Sequence, residues 1–304
     1  MSAADDGPEI PWPGIATPLT FVPPGLQAMA VSAFFFSLMG ALAKLAGTAV
    51  PLFEVVLARS LVVLVLSGAL MIRDRTPFRG EEPRIMLLRS VLGFCALSCY
   101  YYAVIRLPLA DATVIHFTNP VFTAFIASLW LREHVGLREG LLILTSLGGV
   151  VLVARPGFLF GEANALAGIP VLVGLCGAML SASAYVAVRR LRSEPPMLVV
   201  FTFAAVSTVL SLPAALVDIV WPSPAMLLVL LGVGVTTHLG QVFVTWGLKL
   251  ERAGRASTVG YLQIVFAAAW GWILFADVPD VWTGVGAAVI VGCTLLLVRV
   301  HPVR

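Results

Sequence analysis

The chain has 304 residues, 60% of them apolar and only 12% charged, with a mean hydropathy of +0.99. Soluble domains carry roughly 45–50% apolar and about 25% charged residues, which excludes a water-soluble core as the home of this sequence. The formal net charge is +3, and the basic residues sit in short breaks between apolar runs, where they set membrane topology; no nucleic-acid partner is expected.

Residues 1–25 hold Asp5, Asp6, Glu9 and six prolines but no Lys or Arg. They lack the positive opening of a cleavable signal peptide and read as a short cytoplasmic tail. Apolar runs then predict ten transmembrane helices, at 26–47, 52–72, 85–105, 110–130, 137–155, 166–188, 197–217, 225–247, 256–276 and 281–299, each near the roughly 20 residues that span hydrocarbon. The longest break, 73–84, leaves no room for a soluble catalytic domain. Cys95, Cys99, Cys176 and Cys293 all lie in apolar runs without metal-ligand spacing, so they read as small buried hydrophobes and no metal site is expected. No phosphate-binding glycine loop or zinc-protease motif occurs, so the chain reads as neither an enzyme nor a cofactor protein.

With the N-terminus in the cytoplasm, 15 of the 19 Lys and Arg fall in inside segments, Arg89 among them. That bias predicts an even number of crossings with both termini cytoplasmic, in the inner membrane.

Sliding the chain by 144 residues lays 110–155 over 254–299 without a gap. Ala112 meets Ala256, Thr113 meets Ser257, Phe122 meets Phe266, Glu133 meets Asp277, Gly140 meets Gly284, Gly148 meets Gly292 and Arg155 meets Arg299. A repeat of five spans, an odd number, re-enters the membrane from the opposite side. The fold class expected is therefore all-α integral membrane: ten transmembrane helices as two inverted five-helix repeats, at 26–156 and 165–300.

The sequences FFFSLMGALAKLAG (34–47), FEVVLARSLVVL (53–64), YYYAVIRLPLADATVIHFTNPVFTAFIASLWLREHVGLREG (100–140) and LGGVVLVARP (147–156) resemble the drug/metabolite transporter superfamily, in its ten-helix EamA-type branch. The resemblance runs over nearly everything after residue 26. Its members carry amino acids, nucleosides, nucleotide sugars, polyamines or drugs, so it implies a carrier without naming the solute. The second half departs from the pattern at Gln263 and Ile264, where the first has Asn119 and Pro120, and at Asp277, where glutamate is usual.

Polar side chains deep in a span are costly in lipid and mark the bundle interior. In chain order, the first helix presents Ser37, Gly40 and Lys44 on one stripe, and the second carries Arg59 about 10 Å in from its end. Arg59 suits either a solute carboxylate or a packing role beside Glu54. Phe94, Tyr101 and, on the ninth helix, Trp270 are candidate cavity walls. The fourth helix places Ala112, His116, Asn119, Thr123 and Ala127 on one face, and Pro120 frees a backbone carbonyl one turn earlier. The sixth offers Ser181 and Tyr185, the eighth His238 and Gln241, the ninth Ser257, Tyr261 and Gln263. For these polar groups interhelical hydrogen bonding is the competing reading. Asn119 and Gln263 are symmetry mates and mark the expected midplane site.

The function expected is a secondary transporter exporting small amino acids or related metabolites by alternating access. Uptake or exchange of a nucleoside-type metabolite such as S-adenosylmethionine, and a channel or membrane scaffold, are the alternatives. No carboxylate lies deep in a span, so either His116 or His238 titrates during transport or the carrier is a facilitator. The partners are a small solute and lipid, the chain being a monomer or homodimer. Gly140, Gly148, Gly284 and Gly292 mark faces for close helix approach, within the monomer or between copies.

Overall fold

The computed structural model describes residues 22–47, 49–107, 109–154, 159, 168–217, 220–276 and 278–299. Most of the expected tail lies outside them, as do Arg155, Asp218, Asp277 and Arg304. Among the described residues every regular element is helical: α1 (Pro24–Ala46), α2 (Leu52–Arg73), α3 (Pro83–Arg106), α4 (Leu109–His116), α5 (Asn119–Trp130), α6 (Leu137–Ala154), α7 (Gly168–Arg190), α8 (Pro196–Ala215), α9 (Pro224–Leu250), α10 (Ala253–Val259), α11 (Leu262–Phe275) and α12 (Val281–Arg299). Prolines occupy the first turn of α1, α3, α5, α8 and α9, where the missing N–H has no partner to lose. The Ser223 hydroxyl accepts from the Met226 N–H and caps α9.

Among the described residues, ten segments are long and apolar enough to cross a membrane. The α4–α5 and α10–α11 pairs each make one crossing, broken midway. That is a correction to the fourth and ninth spans, which the apolar pattern reads as continuous helices.

The main contacts join the two halves. The first span (α1) lies along the eighth (α9), the third (α3) along the sixth (α7), the second (α2) along the seventh (α8), and the fifth (α6) along the tenth (α12). An operation exchanging spans one to five with six to ten maps this set onto itself, so the two inverted repeats interlock rather than sit side by side. Lipid supplies no hydrophobic drive between helices, so close approach rests on small residues. Ala28, Ala33, Ala178, Ala182, Ala187 and Ala204 are all buried. Gly149 and Gly286 bring α6 and α12 into backbone contact: a Cβ on Gly286 would stand 2.6 Å from the Gly149 carbonyl. Gly140, Gly148, Gly284 and Gly292 instead face open space, so the close approach within the monomer uses other glycines.

The outside is apolar. Val65, Leu129, Val209, Leu228 and Ile273 are each about two-thirds exposed along the spans, a belt that would be an aggregation surface in water and is ordinary against acyl chains. The end of the bundle where α1 begins is called proximal here. There Gly25 packs on Leu250 and Glu251, which fixes the antiparallel course of α1 and α9.

Candidate functional site

The two broken spans face each other. In the fourth, Pro120 lacks an N–H and its ring excludes a regular turn against the His116 carbonyl, so the chain turns at Phe117 and Thr118, with Thr118 N–H donating to the Ile115 carbonyl, and restarts as α5. The ninth has no proline, yet it breaks at the equivalent place. Gly260 and Tyr261 donate to the carbonyls of Ser257 and Thr258, three residues back, as do Gln263 and Ile264 to Gly260 and Tyr261. This tight turn leaves no room for a side chain, since a Cβ on Gly260 would lie 2.8 Å from the Ser257 carbonyl oxygen. Broken helices are tolerated at membrane depth where they line a cavity or are buried in protein.

Between the breaks lies a cavity of about 40 Å³, lined by Met29, Ser32, Ala33 and Phe36 of α1, His116, Phe117, Asn119 and Pro120, Tyr185 of α7, Val244 of α9, and Ser257, Gly260 and Gln263. That is room for about one or two water molecules, well below an ordinary solute pocket of roughly 300 Å³ or more. The cavity is contracted in this state. Asn119 Nδ2 donates to Ser181 Oγ at 2.9 Å; the Asn119 and Gln263 amides share the cavity without bonding each other. The His116 ring packs on Tyr100 in a tilted arrangement, with ring centroids 4.5 Å apart, and its Nδ1 has no hydrogen-bond partner. The Tyr261 hydroxyl, fully buried behind Phe117, has none either. Each orphaned polar group in a dry interior costs about 1–3 kcal/mol, and such groups are retained where another state or a ligand satisfies them.

Of the sequence candidates, His116, Asn119, Tyr185, Ser257 and Gln263 line this cavity, with Ser181 and Tyr261 directly behind it. The others do not. Ser37 accepts from Trp270 Nε1 at 3.1 Å in a separate aromatic cluster with Phe34 and Phe266. Gly40 faces open space, and Lys44 lies over the Phe275 ring at 4.1 Å. Arg59 is buried but reaches Met39 Sδ at 3.7 Å, while Glu54 accepts from the Val220 N–H, so the Arg59–Glu54 pairing does not form. Phe94 and Tyr101 stand half-buried on α3 outside the cavity, and His238 is buried in α9 with Nδ1 unpartnered. The α1 wall, Met29 to Phe36, was missed because apolar and small residues carry no signal of what they face.

One residue assigned to a loop by the basic-residue count is an interior group. Arg89 is 4% exposed on α3, two turns in from Pro83. Its Nη2 donates to Gln241 Oε1 at 3.0 Å, and its guanidinium carbon lies 4.0 Å from the Phe203 ring centroid. Nε and Nη1 have no partner. The ring contact returns about 1–2 kcal/mol, less than the several kcal/mol of removing a charge from water.

The proximal end is sealed by ion pairs. Glu133 accepts from Arg189 Nε at 3.0 Å and from the Ala253 N–H at 2.9 Å, at the start of α10. Glu139 pairs with Arg252 at 3.4 Å and Glu251 with Arg255 at 3.7 Å. Arg255 also donates to the Leu297 and Val298 carbonyls at the C-terminus of α12. Lys249 donates to the Glu194 carbonyl, Arg189 to the Lys249 carbonyl, and Glu194 accepts from the Glu82 N–H at 2.6 Å. Arg189, Lys249 and Arg255, read as loop charges, are thus buried or largely buried network members. Burial pushes the Glu251 carboxyl above the usual carboxylate range, against the pull of Arg255 and Arg189.

Ten crossings, interlocked inverted repeats and a polar cavity between two broken helices define a multi-pass membrane transporter. The EamA-like transporter family matches residues 23–155 and again 168–299, and the chain belongs to that family. It is 33% identical over 277 residues to the pseudopaline exporter CntI of Pseudomonas aeruginosa, covering 90% of this chain and 96% of that protein. It is 31% identical to human solute carrier family 35 member G1, covering 88% and 76% of the two chains, and 25% identical to the S-adenosylmethionine uptake transporter of Rickettsia felis, covering 84% and 86%. A crystal structure with 19% sequence identity superimposes with a TM-score of 0.77 over 90% of this chain and 99% of that one, which shows the shared fold.

Proposed function

We propose that the chain is a secondary transporter of the inner membrane that exports small amino acids or related metabolites by alternating access, with both termini cytoplasmic. The observation that carries this reading is the pair of equivalent helix breaks, at Phe117–Thr118 and Gly260–Tyr261, facing a cavity lined by Asn119, His116, Tyr185 and Gln263. Solute sites of inverted-repeat carriers lie at such discontinuous helices near mid-membrane. The proximal end, cytoplasmic by the basic-residue bias, is closed by Glu133–Arg189 and its neighbours, and opening it would admit the solute that the contracted cavity excludes. The relative named an exporter favours the outward direction; the one named an uptake transporter supports the nucleoside alternative.

The test is efflux from proteoliposomes loaded with labelled amino acids or nucleosides, with and without a pH gradient. Saturable efflux of amino acids is the expected result. Saturable nucleoside flux alone would select the alternative, unsaturable flux at pore-like rates would select a channel, and acceleration by the gradient would add proton coupling.

A further inference from the structure

We infer that Arg89 is the anchor for a carboxylate of the transported solute, an assignment that rests on reading the chain as a carrier. Among the described residues, the acids with a resolved partner are engaged elsewhere: Glu54 with the Val220 N–H, Asp74 with Arg73, Glu82 with Arg190, Glu133 with Arg189, Glu139 with Arg252, Glu194 with the Glu82 N–H, Glu251 with Arg255 and Asp280 with Thr283. None reaches Arg89. The contrast with the other interior cations is chemical: Arg189, Arg252 and Arg255 each face a carboxylate, whereas Arg89 has one amide oxygen and the face of Phe203. A guanidinium cannot shed its proton to escape burial, so a membrane-embedded arginine with two idle nitrogens is matched by an anion that comes and goes.

Its position supplies the anion's source. Gln241, which accepts from Arg89, stands one helical turn before Val244, a wall of the central cavity, and Tyr185, another wall, belongs to α7, the helix packed along α3. Arg89 is not itself a lining residue; it stands behind the α9 wall through its bond to Gln241, and a solute would meet the guanidinium when the cavity widens. Arg59, the other buried arginine with no carboxylate beside it, reaches Met39 and has one buried nitrogen without a partner where Arg89 has two. One cation with two free nitrogens suits a monoanionic carboxylate, for which guanidinium geometry is matched; a phosphate dianion would need a second positive charge, and among the described residues no Lys or Arg lines the cavity itself to supply one.

The test uses the purified full-length chain in proteoliposomes, with solutes differing only by the carboxylate: L-leucine against isoamylamine, and L-phenylalanine against phenethylamine. Thermal stabilisation of the detergent-solubilised protein by the same compounds is the parallel readout. Wild type should move the acids and not the amines. Arg89→Gln should reduce acid flux by about tenfold or more, with Arg89→Lys in between. Gln241→Glu separates ligand binding from packing. It places a permanent carboxylate on the guanidinium, so a merely structural Arg89 would gain from it, whereas an anchor is occupied in advance. The expected result is a melting temperature at or above wild type with acid flux lost. Wild type moving amines as readily as acids, acid flux surviving in Gln241→Glu or Arg89→Gln, or glycerol 3-phosphate outpacing every carboxylate would each overturn the assignment while leaving the carrier reading intact. A wild type that neither moves nor is stabilised by any of these compounds would overturn the amino-acid reading, and the anchor with it.

Discussion

Asn119 is the side chain on which the sequence and the structure agree most closely: a deep amide on the fourth span, lining the cavity and holding Ser181 across to α7. Asn119→Ala should lower export by about tenfold at unchanged expression; His238→Ala, away from the cavity, should lower it less, and the reverse order in the efflux assay would move the site toward α9. Arg89 shows how a residue is misread. An arginine six places into a span scores as an interfacial charge, and the groups that make it interior, Gln241 and Phe203, come from two other helices. Glu251 yields a pH prediction. Its folded pKa is raised, so its stabilising contribution is fully present below the ordinary carboxylate value and is lost as pH rises through the raised value. Glu251→Gln, neutral throughout, should gain in melting temperature relative to wild type as pH rises from about 4 to about 7.

The broken spans set the geometry of the site. Pro120 is readable in the sequence as a helix breaker, whereas the break at Gly260–Tyr261 is not, because no residue there forbids a helix and the apolar run is continuous. Pro120→Ala would restore the missing donor and let α4 and α5 fuse, so the fold should persist or gain stability while flux falls. Gly260→Val would instead force a side chain against the Ser257 carbonyl. It should destabilise by about 1–3 kcal/mol, the usual range for overpacking, read as a lower melting temperature together with lost flux. A variant at either position that transports at the wild-type rate would show that the break is dispensable.

At the scale of the molecule, the repeats place Glu133 of the first half against Arg189 of the second, at the proximal end. Removing one partner of such a largely buried pair costs about 3–5 kcal/mol, so Glu133→Arg and Arg189→Glu should each lower stability and slow transport. The double swap should recover part of both, because the pair is re-formed in reverse. If the double swap is as defective as the sum of the singles, Glu133 acts through the Ala253 N–H at the start of α10 rather than through Arg189.

The sequence by itself determined the medium, the number of crossings and the inverted duplication, because hydropathy and the 144-residue register are carried by local composition and need no contact to be read. It also named His116, Asn119, Tyr185 and Gln263, since a polar side chain deep in lipid is costly wherever it points. Only the tertiary structure decided that Gly40, Lys44, Trp270 and Arg59 stand apart from the cavity, that Gly260 breaks its span, and that Arg89 lies inside with no carboxylate beside it among the described residues. Those facts depend on which helix faces which, and in a bundle whose main contacts run between the two halves, the facing residues are far apart in the chain, from 56 positions for Glu133 and Arg189 to 208 for Ser32 and Gly240.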